Sequence, residues 1–196
     1  MKTFFTADSH FSVNDKHGVI DRDFRPFTSL KQMNKTIIKV WNKQAGKGDL
    51  IYHLGDFVNY NKLDNKHYIE LYSLVKKIKA DVVLICGNNE QRVIEKEFGG
   101  DFEKFKWFLI KLGFKDVIEK GLLLENFHGI KLYLNHYPSK HKVGMENLFG
   151  HVHGQVLVKR YGFNVGLDNH YLGLFSEDEV LQLISWRTFF DENVYK

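Results

Sequence analysis

The sequence predicts an α/β protein, with helices layered on a mainly parallel β-sheet, and three observations lead there. Short apolar segments alternate with longer segments of helical period, in the order strand, helix, strand, helix, strand. The third strand, Asp81-Val82-Val83-Leu84-Ile85-Cys86, is almost continuously hydrophobic, as a parallel strand covered on both faces should be. Each of these three strands then runs into a cluster of polar residues able to bind a ligand, and open α/β sheets place their sites at the carboxyl ends of strands. With 196 residues, 43% of them hydrophobic, the chain can bury one substantial core but not two comfortable ones. Two prolines, no low-complexity linker and no repeat make residues 1–196 a single domain.

Taken in order, residues 2–7 form the first strand, and it leads directly into Asp8-Ser9-His10. A polar stretch from Phe11 to Thr28 follows, containing His17, Arg22 and Arg25; loops of that length in compact domains are often functional. Ser29 and Gln32 then suggest a capping box for a helix whose inward stripe is Leu30, Met33, Ile37 and Trp41. Lys31, Lys35, Lys39, Lys43 and Lys47 recur on its other side, and with no interleaved aromatics they read as a solvated face. The second strand, residues 49–54, ends in Gly55-Asp56, and a helix over 66–79 buries Tyr68, Leu71, Tyr72, Val75 and Ile78. The third strand ends in Gly87-Asn88-Asn89-Glu90.

Phe102, Phe105, Phe108, Leu109 and Leu112 mark the next helix, stopped at Gly113. Residues 122–125 and 130–135 form a hairpin whose second arm ends in His136. Asn147-Leu148-Phe149 reads as the end of a buried strand leading into Gly150-His151-Val152-His153-Gly154. Within a strand, His151 and His153 would share a face, and the flanking glycines would let the backbone turn sharply. A hairpin over 156–160 and 163–166 and a short capped helix from Ser176 complete the chain.

The terminal clusters supply Asp8, His10, Asp56, Asn88, His136, His151 and His153. Singly, each fits an Asx turn or a surface histidine. Together they form an oxygen and nitrogen donor set suited to Mn, Fe, Co, Ni or Zn and poorly matched to Ca or Mg alone. Seven ligands exceed what one tetrahedral ion can use, whereas two ions sharing a carboxylate would account for all of them.

In this order, Asp-x-His, Gly-Asp, Gly-Asn-x-Glu, His-Tyr-Pro and Gly-His-x-His resemble the calcineurin-like metallophosphoesterase superfamily over essentially the whole chain, and within it the small bacterial and phage-type members. Arg25-Pro26-Phe27, Met33-Asn34, Tyr52-His53-Leu54-Gly55-Asp56-Phe57 and Asn164-Val165-Gly166-Leu167-Asp168 echo that subgroup. The resemblance implies a β-sandwich of two mixed sheets flanked by helices. It implies one metal on Asp8, His10, Asp56 and His153, and a second on Asp56, Asn88, His136 and His151, with Asp56 bridging. It also implies hydrolysis of a phosphate ester, a phosphodiester first, by a hydroxide that the two divalent ions activate. Neutral Asn88 would fill a ligand position without lowering the positive charge offered to phosphate.

One position departs from the pattern. Where relatives place a histidine near the leaving group, this chain has Asn89, whose amide can donate a hydrogen bond but no proton. Asn89 and the bridging Asp56 are the expected catalytic residues, and Arg22, Arg25 and His17 are candidates for substrate contact. A scaffold that keeps the metal site with weakened catalysis and a small nuclease are the alternatives.

A net charge of +4 is compatible with a phosphorylated small molecule or nucleotide as substrate, and is too modest for stable nucleic-acid binding. No stretch is long and apolar enough to span a membrane, and the first eight residues lack a signal-peptide core. The single cysteine, Cys86, in an apolar run, fits a reducing, cytoplasmic setting. Oligomeric state leaves no mark in the sequence.

Overall fold

Strand β1 (Thr3–Thr6) lies beside β2 (Leu50–His53), β2 beside β3 (Asp81–Ile85), and β3 beside β4 (Asp116–Ile118), all parallel. A short antiparallel strand, β10 (Phe175–Ser176), closes the other edge of β1. The second sheet contains β5 (Leu122–Phe127), β6 (Ile130–Leu134), β7 (Glu146–Phe149), β8 (Val158–Lys159) and β9 (Gly162–Asn164). Its order is β5-β6-β7-β9-β8, with antiparallel pairs at both edges and parallel pairs in the middle. These features come from a computed structural model that describes residues 1–12, 20, 25–60 and 67–193. The expected pair of mixed sheets flanked by helices is present, with five strands in each.

Two apolar layers hold the sheets. Alternation along β1 sends Phe4 toward the helices and Phe5 between the sheets. In β3, Leu84 and Ile85 divide in the same way, which is why that strand is hydrophobic without interruption. The inter-sheet layer joins Phe5, Leu54 and Ile85 to Leu132, Leu134, Leu148 and Phe163. An isolated parallel bridge between Ala7 and Gly166 ties the first sheet to the chain leaving β9, next to Asp8.

Helix α1 (Leu30–Gln44) buries Met33, Ile37, Ile38 and Trp41 and leaves Lys31, Lys35, Lys39 and Lys43 exposed; Lys47, also exposed, lies beyond its end. Ser29 accepts from Gln32 N at 3.3 Å, but the Gln32 side chain reaches back to Thr28 N and Oγ1 and not to the Ser29 backbone. Helix α2 (Tyr68–Tyr72) tightens into a 3₁₀ turn over Ser73–Lys77. Helix α4 (Phe102–Leu112) is capped by Asp101 and stops at Gly113, whose φ of 119° suits glycine. Helix α5 (Glu177–Asn193) is longer than the short helix predicted.

Three elements escape the sequence reading, β4, β10 and helix α3 (Asn88–Glu97). Gly87 and two asparagines are poor helix formers, so α3 has little local signal. One local and one tertiary contact start it instead: Glu90 accepts from Gly87 N at 2.9 Å, and Asp56 accepts from Asn89 N at 2.9 Å. No helix among the described residues is long and apolar enough to cross a membrane.

Candidate metal centre

The predicted ligands all leave strand ends, and most do so with unusual backbone geometry. Among the described residues, eight that are not glycine have positive φ, and five of these are Asp8 (59°), His10 (47°), Asp56 (57°), His151 (73°) and His153 (48°). Left-handed backbone in side-chain-bearing residues costs energy and concentrates at functional sites. Here it turns each side chain off its strand axis toward one region. It also changes the expectation for His151 and His153: β7 stops at Phe149, so the two lie beyond the strand and their side chains part.

His153 stacks on His10, with ring centroids 4.9 Å apart and planes at 14°. Ligand atoms of Asp8, His10 and His153 all lie within 4.8 Å of one another. His10 Nε2 is 4.0 Å from Asp8 Oδ1 and 3.6 Å from Asp56 Oδ2. His151 turns to a second group, where its Nδ1 lies 3.0 Å from Asn88 Oδ1 and 3.2 Å from His136 Nε2. His136 Nε2 is also 3.1 Å from Asn88 Oδ1 and 3.6 Å from Asp56 Oδ1. Asp56 therefore stands between the groups, with Oδ2 toward one and Oδ1 toward the other.

Close packing builds this cage. A Cβ on Gly150 would lie 2.5 Å from Ala7 Cβ and 2.7 Å from Asp8 Oδ2, so only glycine lets the His151 turn settle against β1. In return, His151 N donates to Asp8 Oδ2 at 2.9 Å. Gly154, the other flanking glycine, has ordinary space for a side chain.

The donor set is short of positive charge. Asp8 is fully buried, and burial followed by the negative charge of Asp56 raises its carboxyl well above the usual range. Burial raises Asp56 too, opposed mainly by two hydrogen bonds from Asn89. His136 is held down at about 4 and His151 is lowered, each chiefly by burial, so both are neutral at pH 7. His136 Nδ1 lies 2.8 Å from the Leu54 carbonyl, which can only accept; the ring proton is therefore there, and Nε2 presents a lone pair to the cage. Two acceptor atoms, Asn88 Oδ1 and His136 Nε2, thus face each other at 3.1 Å, and His151 Nδ1 lies 3.0 and 3.2 Å from them. Two facing lone pairs repel unless a cation or the His151 ring proton lies between them, and the mixed nitrogen and oxygen donors fit a borderline divalent metal.

Four further residues support the cage, and two of them depart from expectation. Asn89 is 3% exposed; its Nδ2 donates to Asp56 Oδ2 at 2.6 Å and its Oδ1 accepts from Tyr60 N at 3.2 Å. Its amide therefore faces the Asp56 carboxylate. Arg25 is 4% exposed and also points inward. It donates to both oxygens of Asp168 at 2.9 and 3.0 Å, to the Ser9 carbonyl at 2.8 Å and to the Asp8 carbonyl at 2.6 Å. This geometry corrects the expectation of a direct substrate contact: the guanidinium braces the strained Asp8–His10 turn. His17 and Arg22 lie outside the described residues.

The sequence reading missed Glu90 and Asp168. Glu90 accepts from Asp56 N at 2.7 Å and Phe57 N at 3.0 Å as well as Gly87 N, tying the Asp56 turn to α3. Asp168 Oδ2 lies 3.4 Å from His153 Nδ1. Burial alone would raise the Asp168 pKa, but hydrogen bonds from His153 and Arg25 and the arginine charge bring it below the usual range. Its signal was available, because it follows β9 as Asp8 follows β1 and Asp56 follows β2.

A chain of this fold with this cluster can be compared with known proteins. The calcineurin-like phosphoesterase family profile matches residues 1–190, and the chain belongs to that family. It is 30% identical over 114 residues to the uncharacterized protein MJ1445 of Methanocaldococcus jannaschii, an alignment covering 56% of this chain and 57% of that protein's length. Among solved structures it is similar to the protein of unknown function AQ665 from Aquifex aeolicus, with TM-score 0.62 and 19% identity over 93% of this chain and 98% of the other. That likeness concerns the fold alone.

Proposed function

We propose that this protein hydrolyses a phosphodiester at a pair of divalent metal ions, manganese being the first to test. Asp8, His10, Asp56 and His153 would hold one ion, and Asp56, Asn88, His136 and His151 the other. The observation that carries this reading is Asp56, whose two carboxylate oxygens address two separate groups of donors at 3.6 Å each. When bound, such a pair supplies Lewis acidity toward phosphate oxygens and acidifies a coordinated water.

The chain's own residues hold the cage ready. Asn89 and the first turn of α3 fix the Asp56 carboxylate, where the positive end of the helix dipole also favours negative charge. Glu90 fixes the backbone on either side of that carboxylate bond. The Leu54 carbonyl sets the His136 tautomer, and Arg25 with Asp168 sets the Asp8 turn and the His153 ring. His151 is exposed, so a phosphate can approach from its side. A free, buried Cys86 supports an intracellular, reducing setting for the same reading.

Metal analysis of the purified protein, followed by bis-p-nitrophenyl phosphate hydrolysis with added Mn²⁺, tests the proposal. Asp56→Asn is expected to lower both metal content and turnover by at least about tenfold, as losing a metal-site group does. Wild-type protein that binds no metal would refute it. A second reading, a metal-binding scaffold with little turnover, is favoured by one observation only: the Asn89 amide is engaged with Asp56 and Tyr60. Stoichiometric metal without hydrolysis would select that reading.

A further inference from the structure

A cavity of about 310 Å³ is bounded by Pro138, Ser139, His141, Phe149, Lys159, Arg160, Tyr161 and Gly162. We propose that it binds the nucleoside monophosphate portion of the substrate, an inference that rests on the phosphodiesterase reading and deepens it. Its place in the chain supports this. Pro138 follows His136 by two residues and Phe149 precedes His151 by two, so each lies within about 7 Å of a ligand residue along the chain. Two of its walls thus adjoin, along the chain, two members of the donor group built from Asn88, His136 and His151.

The chemistry of the walls selects the ligand. Pro138 and the buried Phe149 offer carbon surface, and Tyr161 stacks against His141 with centroids 4.7 Å apart and planes at 13°. Arg160 lies 5.3 Å over the Tyr161 ring. Lys159 and Arg160, both exposed, bring cations to the rim, and no lining residue is acidic. Flat carbon walls with cations at the edge suit a base and sugar carrying a phosphate, and the volume is at the lower end of the range for small-molecule sites, about 300–1,000 Å³.

The walls are held in place in advance. Asn147 is 2% exposed, and its amide is devoted to the two segments that form the cavity. Oδ1 accepts from Lys142 N at 2.7 Å, while Nδ2 donates to the Lys142, Met145 and Tyr161 carbonyls at 2.8–3.0 Å. A Cβ on Gly162 would lie 2.2 Å from the Asn147 carbonyl oxygen, so the β8–β9 turn rests directly on β7. A buried amide that fixes two exposed basic segments gives a preorganised site, which lowers the entropy lost on binding.

The test is calorimetric titration of the EDTA-treated full chain with 5′-AMP, ribose 5-phosphate and inorganic phosphate. Wild type is expected to bind AMP at least tenfold more tightly than inorganic phosphate, and the exposed double substitution Lys159→Ser/Arg160→Ser to weaken AMP binding at least fivefold. AMP binding no tighter than phosphate, or unchanged in the double variant with unchanged circular dichroism, would overturn the proposal. Because the titration omits metal, hydrolysis of bis-p-nitrophenyl phosphate by the manganese-loaded wild type reports separately on the catalytic reading. Hydrolysis without AMP selectivity removes the nucleotide site alone; AMP selectivity without hydrolysis removes the catalytic reading and leaves the site.

Discussion

Replacing Arg25 by methionine tests the idea that an inward-facing cation braces the ligand turns. The change removes two bonds to Asp168, at 2.9 and 3.0 Å, and the bonds to the Ser9 and Asp8 carbonyls. It leaves a carboxylate whose side chain is 7% exposed without its cation. Removing one partner of a buried ion pair costs about 3–5 kcal/mol, most of it from the stranded charge. His153 still lies 3.4 Å from Asp168 Oδ2, which places the expected loss near the lower end, about 3 kcal/mol. Adding Asp168→Leu removes that stranded charge and is expected to recover about 1.5 kcal/mol or more, a coupling typical of residues in direct contact. Urea unfolding of the EDTA-treated protein, analysed at constant m, gives all four corners of the cycle. A loss below about 1 kcal/mol for Arg25→Met, the range of an exposed pair, would refute the reasoning, as would additivity in the double variant.

Three other outcomes follow from the same geometry. Asn89→Ala removes the 2.6 Å bond to Asp56 and is expected to weaken Mn²⁺ binding by about 10- to 100-fold in a calorimetric titration; unchanged affinity would deny Asn89 a positioning role. Gly150→Ala drives a methyl group to 2.5 Å from Ala7 Cβ and is expected to cost about 1–3 kcal/mol in thermal or urea unfolding, whereas Gly154→Ala, with open space, serves as the control. The fourth prediction concerns pH. Burial, then the nearby His136, holds His53 down at about 3. Its folded pKa lies below the unfolded value near 6.5, so the folded state binds fewer protons, and the contribution to stability is complete above 6.5 and lost as pH falls toward 3. For this one group the loss between pH 7.5 and 5 amounts to about 2 kcal/mol, and the metal-free His53→Gln variant should show a correspondingly shallower decline. Equal slopes for wild type and variant would contradict the assignment.

The tautomer of His53 illustrates how such buried polar groups are ordered. Ser9 Oγ has one hydrogen and lies 2.8 Å from the Phe57 carbonyl, which can only accept, so His53 Nε2 must donate to Ser9 Oγ at 2.9 Å. Ser9 sits between Asp8 and His10, so this small network also steadies the first ligand turn.

Much of this architecture could be read from residue order. Period-2 and continuous apolar runs identified β1, β2 and β3, and Ser29 and Gly113 marked helix ends, because those signals depend on local chemistry. The seven donor residues could be listed because Asp, Asn and His at strand ends are conspicuous. Asn89 and Arg25 were a different matter. Their residue types suit substrate contact, and only the packing shows that one amide faces Asp56 and one guanidinium faces Asp168. Asp168 was quoted in a motif without a role because its partner Arg25 lies 143 residues away in sequence. Helix α3 was missed for a similar reason, since its first turn is stabilised in part from the Asp56 loop, 33 residues away in sequence.

The parallel bridge between Ala7 and Gly166 places the seam of the sandwich next to Asp8. Each proposed ion would take donors from both sides of that seam: Asp8, His10, Asp56 and Asn88 follow strands of one sheet, and His136, His151 and His153 follow strands of the other. Ligation would then rivet the halves together. Hinged opening of one layer against its mate would have to strip both cations first, so loading should slow amide exchange in Phe5 and Leu148 on either side of the joint.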